Sequence, residues 1–101
     1  MFTIKDLEPY FDLAATMEIN GRNFILTKVE ELSGIHAVWI SDNYKVYATP
    51  YFENIPVPVH VIDVNQQEIG LDCYPVEVES FERYVKVVQT LASKILRRPQ
   101  M

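Results

Sequence analysis

Cys73 and His60 are the side chains whose types and spacing come nearest to a nucleophile. An even-membered loop centred between Gln66 and Gln67 pairs Val64 with Ile69, Ile62 with Leu71 and His60 with Cys73. Directly opposed residues on antiparallel strands hold their Cβ atoms about 4.5–5.5 Å apart, near enough for an imidazole to take the proton of a thiol. The resulting thiolate is a competent nucleophile, which would make the chain a Cys–His hydrolase or transferase. The same strands argue for a quieter role. His60 and Cys73 share a face with Val64, Ile62, Ile69 and Leu71, the pattern of a core-facing strand, and no Asn or Asp is placed to orient the imidazole. A buried, structural Cys73 is therefore expected.

Other groupings offer less chemistry. Asp63 and Asp72 fall as diagonal neighbours on the opposite face of that hairpin, where two carboxylates and a water could serve proton transfer or a hard cation. A third ligand is lacking. His36 and His60 lie on different hairpins without metal-ligand spacing, and a single cysteine excludes both a disulfide framework and a Cys-rich zinc site. Only three glycines are present, and no phosphate-binding or dinucleotide fingerprint occurs among them. No metal and no cofactor is expected.

Charge divides the chain sharply. Residues 1–82 carry all 14 acidic groups and four basic ones, a net of −10; residues 83–101 carry five basic groups and no acid, which leaves −5 overall. On a helical wheel at about 100° per residue, Arg83, Lys86, Lys94 and Arg97 cluster opposite the apolar positions. Such a stripe is either a solvated face whose charges complement the helix dipole or a surface for an acidic partner. It has no interleaved aromatics and sits on an acidic body, so nucleic acid is not the expected partner. The acidic body could instead occupy a basic protein groove as an inhibitor or nucleic-acid mimic.

The aromatic run Tyr44, Tyr47, Tyr51, Phe52 supplies the strongest binding feature. Alternation places Tyr47 and Tyr51 on the side of the strand opposite Val46 and Ala48. If helices cover the Val46 side, then Val38, Ile40, Tyr47 and Tyr51 form an exposed apolar and aromatic patch, of the kind enriched at interface centres.

The elements that must position these groups follow from periodicity. Thr3 and Asp6 form a capping box, with Phe2 and Leu7 spaced as a hydrophobic staple; Ile4, Leu7, Phe11 and Ala14 fall on one helical face. Pro9 should kink or split that helix near Glu8. From Thr16 to Val78 the pattern alternates. Asn20–Asn23 reads as a four-residue loop that sets Ile19 opposite Phe24 and Met17 opposite Leu26. Ser41–Asn43 joins a second hairpin in which Trp39 faces Val46 and Ala37 faces Ala48. Val57–Val64 and Ile69–Val76 make the third. From about Glu79, the residues Phe81, Tyr84, Val85, Val88, Leu91, Ala92, Ile95 and Leu96 form a wide apolar stripe, closed by Pro99.

The predicted architecture is a single α+β domain over residues 1–101: an antiparallel sheet of about six strands flanked by an N-terminal helix and a long C-terminal helix on one face. The chain has 101 residues, 49% hydrophobic and 23% charged, which suits a folded domain and excludes a disordered or low-complexity one. No apolar run approaches the roughly 18 residues of a membrane span, and residues 1–6 lack a signal-peptide pattern, so a cytoplasmic protein without a membrane partner is expected. The functional expectation is a small acidic, non-enzymatic binding protein. It would act through an exposed aromatic sheet face or an edge strand, toward another protein or as a homodimer.

Overall fold

Each stretch of alternating side chains forms a strand that pairs with the next, so the sheet is a meander. The computed structural model describes residues 2–50, 57–74 and 78–97. A 3-10 helix, Ile4–Leu7, runs into α1, Glu8–Asp12. The strands are β1 Thr16–Ile19, β2 Arg22–Glu31, β3 Gly34–Ile40, β4 Tyr44–Tyr47, β5 Val57–Asp63 and β6 Glu68–Tyr74, and α2 follows at Phe81–Arg97. The six strands lie in chain order and every neighbouring pair is antiparallel. Helix α2 packs on one face against β5 and β6 and also against β1, so the sheet curls around it until both edges meet the helix.

The N-terminal segment folds as its residues dictate. The Asp6 carboxylate accepts from the Thr3 backbone N–H at 2.7 Å, and Phe2 and Leu7 are both buried. Pro9 stands in the first turn of α1, where its missing N–H costs least, and divides the helical segment at Glu8. Ala14 departs from the expected helical face. Its φ is +49° and its side chain is exposed, because the chain has already left the helix to enter β1.

Two registers differ from expectation. The first hairpin turns on two residues, Asn20 and Gly21, which sets Met17 opposite Phe24 and Ile19 opposite Arg22. Asn20 and Gly21 have φ of +51° and +82°, the pair of positive values that a type I′ turn requires. Turn chemistry decides here because a shift of two residues leaves Met17, Ile19, Phe24 and Leu26 on the same, buried face. Arg22 loses nothing by facing Ile19, since its guanidinium lies 5.1 Å from the centre of the Tyr44 ring.

The third hairpin differs more. Asp63 Oδ1 accepts from the N–H groups of Asn65 and Gln67 at 2.8 and 3.0 Å, and Gln66 adopts a φ of +64°. The loop therefore holds an odd number of residues, and a bulge between Val61 and Ile62 restores the pairing. His60 opposes Leu71, and Cys73 opposes Pro58. Val57, Val59 and Val61 face the core, so the face bearing His60, Leu71 and Cys73 points away from the helices, and Cys73 is exposed rather than buried.

The second hairpin holds the expected register, with Trp39 opposite Val46. Trp39 is fully buried beneath α2, where its indole N–H donates to the Tyr84 hydroxyl at 3.1 Å, and that hydroxyl donates to the Ala48 carbonyl. Burial pushes the Tyr84 hydroxyl far above the usual range of a phenol. Ser80 caps α2 by accepting the Arg83 N–H at 3.1 Å, and Tyr84, Val87, Val88, Leu91, Ala92 and Ile95 are buried along the stripe. Tyr10 and Phe81 stack with ring centres 3.6 Å apart and tie α1 to the start of α2.

Candidate functional site

The helices cover one face of the sheet and leave the other open. Register places three rows of side chains across that open face. The first is Ile25–Ile40–Lys45–Ile62 and the second Thr27–Val38–Tyr47–His60–Leu71. The third contains Val29 and His36 on one side and Pro58 and Cys73 on the other. Strands pleat, so every second residue must point this way, and the sequence supplies β-branched and aromatic types at most of those positions.

Of the expected patch, Ile40 and Tyr47 are half-buried and face the open side. Val38 faces it too but has no exposed surface, because it sits low between Thr27 and Tyr47. A partner would touch its neighbours, not Val38 itself. Tyr51 lies outside the described residues. Two larger contributors were not anticipated: Ile25 is 47% exposed and Leu71 55%. Ile25 was legible as the outward residue between inward Phe24 and Leu26. Leu71 was not, because alternation puts it on the face of His60 and Cys73 without saying which face of that hairpin the helices cover.

The row is interrupted by a cleft. Strand β4 ends at Tyr47, and the Thr49 hydroxyl then stands in for a ladder acceptor, receiving the Ala37 N–H at 2.9 Å. Beyond that point the sheet opens into a hollow of about 220 Å³ lined by His36, Tyr47, Thr49, Pro58, His60 and Leu71. Both histidines of the chain thus flank Tyr47, with ring centres 6.0 and 6.3 Å from it. His36 Nε2 is bonded to Ser33 Oγ at 2.9 Å. His60 Nε2 is buried without a hydrogen-bond partner, with Glu68 Oε2 at 3.6 Å. The Tyr47 hydroxyl donates to Glu31 at 3.2 Å, and burial, helped by that carboxylate, raises it above a free phenol's range.

His60 and Cys73 share the open face as diagonal neighbours, a separation of about 7–8 Å rather than that of an opposed pair. Asp63 and Asp72 are not brought together. Asp63 is engaged in its turn, while Asp72 opposes Val59, four residues away along β5, or roughly 13 Å. Among the described residues, no three His, Cys, Asp or Glu side chains group as a metal site needs.

On the far side of the molecule, Arg83, Lys86, Lys94 and Arg97 are all exposed along α2. Among the described residues, Lys86, Lys94 and Arg97 form no ion pair, whereas Lys28 pairs with Glu8 at 2.9 Å. No helix of the described residues is long and apolar enough to cross a membrane.

Fold and site together define an α+β meander with one helix-covered and one open face. Comparison with protein-family models, with curated proteins and with solved structures finds no match to this chain.

Proposed function

We infer that this chain is a non-enzymatic binding protein whose open sheet face associates with a second copy of itself. The observation that carries the reading is the apolar lining of that face: Ile25, Ile40, Ile62, Val29, Tyr47 and Leu71 spread over five strands, with Ile25 and Leu71 about half exposed. Soluble monomers usually keep contiguous apolar patches to a few hundred Å². At about 4.8 Å between strands and about 3.3 Å per residue, the three rows, polar members and cleft included, extend over roughly 24 by 20 Å, or about 500 Å². Two such faces stacked would bury about 1,000 Å² in total, which reaches the lower bound of a specific interface.

A twofold contact suits this surface because it uses the same patch twice. The net charge of −5 opposes it only weakly, since physiological salt screens charges beyond about 8 Å. Sedimentation over a concentration series tests the reading. Wild type is expected to approach a dimeric mass, and Leu71→Lys to remain monomeric while keeping its fold. A wild type that is monomeric throughout overturns it. Leu71 is the better probe than Tyr47, whose ring and hydroxyl also serve the fold through His36, His60 and Glu31.

A further inference from the structure

His60 stands in the middle row of the open face, between Tyr47 on β4 and Leu71 on β6. Its Nε2 is closed to water and unbonded, yet Glu68 Oε2 is only 3.6 Å away, just beyond hydrogen-bond length. The Glu68 side chain is 61% exposed and free to close that gap. We propose that His60 and Glu68 form a proton-operated release for the open face, which stacks on a second copy while His60 is neutral and parts when His60 takes up a proton. The proposal rests on the dimer reading above.

Few described groups face His60. Strand β4 contributes the Tyr47 ring and, on the diagonal, Lys45; strand β6 contributes Glu68 and, on the other diagonal, Cys73; His36 of β3 lines the same cleft beyond Tyr47. Helix α2 lies on the opposite face and contributes none. Lys45 opposes a charged imidazole from about 7–8 Å, whereas Glu68 faces it from 3.6 Å.

Stacking strips water from Glu68 and from the part of the imidazole that the open chain leaves exposed. That leaves the neutral ring little affected and penalises the cation. In the open chain the cation meets Glu68 with solvent still at hand; in the stacked pair both charges would have to be desolvated together. The proton therefore binds the open chain more tightly, and association must weaken as pH falls. A dimer carries His60 twice, so its association constant falls by up to about a hundredfold per pH unit.

Sedimentation at about pH 7.5 and about pH 5.5 tests the proposal. Wild type is expected to dimerise at least about tenfold more weakly at the lower pH. Two neutral variants, His60→Gln and His60→Leu, are expected to dimerise equally at both, and Glu68→Gln to respond less than wild type. A wild-type dimer of unchanged affinity, or neutral variants that weaken as wild type does, overturns the release and leaves the dimer standing. A wild type monomeric at every concentration and both pH values overturns dimer and release together. Circular dichroism separates dissociation from unfolding: wild type should keep its spectrum at about pH 5.5, and loss of the fold there also overturns the proposal.

Discussion

Both faces of the sheet carry apolar side chains, and the two have opposite fates. The covered face carries Phe24, Leu26, Trp39, Val46, Val59 and Val61, all buried, and its central polar groups, the Trp39 N–H and the Tyr84 hydroxyl, are bonded to each other and to the Ala48 carbonyl. The open face carries Ile25, Ile40, Ile62 and Leu71 but spaces them with Lys45, His36, His60 and Glu68. Hydrophobicity alone does not distinguish them. What does is the placement of groups that lose most when water leaves, since a buried polar group without a partner costs about 1–3 kcal/mol and an unpaired charge more. A face that keeps titratable groups at its centre costs more to dry than one that does not.

The largest expected effect comes from removing the centre of the covered face. Trp39→Ala should destabilise the protein by about 3–5 kcal/mol in chemical denaturation, through lost burial, a residual cavity and the loss of a donor to Tyr84. Leu71→Lys, read at dilution where association is absent, should stay within about 0.5 kcal/mol. Comparable losses from the two would mean that the faces are not distinguished as described.

An intermediate effect is expected from Tyr84→Phe, which leaves the Trp39 N–H and the Ala48 carbonyl unpaired and should cost about 1–3 kcal/mol. Its pH dependence sharpens the test. The Tyr84 hydroxyl is raised in the folded state, so its contribution is complete below the unfolded tyrosine value near 10 and declines as pH climbs above it. The stability gap between wild type and Tyr84→Phe should therefore narrow above about pH 10. A gap independent of pH would show that the hydroxyl is not sequestered.

The smallest effect concerns Cys73, which is exposed on the open face. A thiol reagent should modify it in the native protein without prior unfolding, with modification slowing as protein concentration rises if stacking covers it. Labelling that waits for global unfolding would return Cys73 to the core.

The folding elements were legible where local chemistry admitted one answer. Thr3 and Asp6 marked the start of the first helix, Trp39 opposite Val46 followed from either allowed loop, and the α2 stripe could be read directly from its period. The site was harder, because the β5 sequence Val57-Pro58-Val59-His60-Val61-Ile62 offers apolar residues on both faces, and alternation cannot choose between them. The choice is made where β5 pairs with β4, which sets Val61 opposite Val46 and turns Val57, Val59 and Val61 to the core. The aspartate ahead of the polar cluster is a recognisable turn signal, but the bulge cancels the odd loop, so Leu71 and Cys73 keep the face they share with His60 and the turn alone does not say which face is covered. The Asn20-Gly21 turn shows turn chemistry setting a register that apolar matching leaves open.

Strand order in the sheet follows the chain, and this has a consequence for synthesis. Every strand pair is a local hairpin that closes soon after its second strand leaves the ribosome, so the sheet needs no distant partner to begin. The cover for Trp39 and Val46, by contrast, is α2, which ends at Arg97. At about 5–20 residues per second, Trp39 waits roughly 3–12 seconds between its own emergence and that of the helix that will shield it. Throughout that interval the nascent chain presents two apolar faces instead of one, and a chaperone that holds such surfaces would find its longest opportunity there.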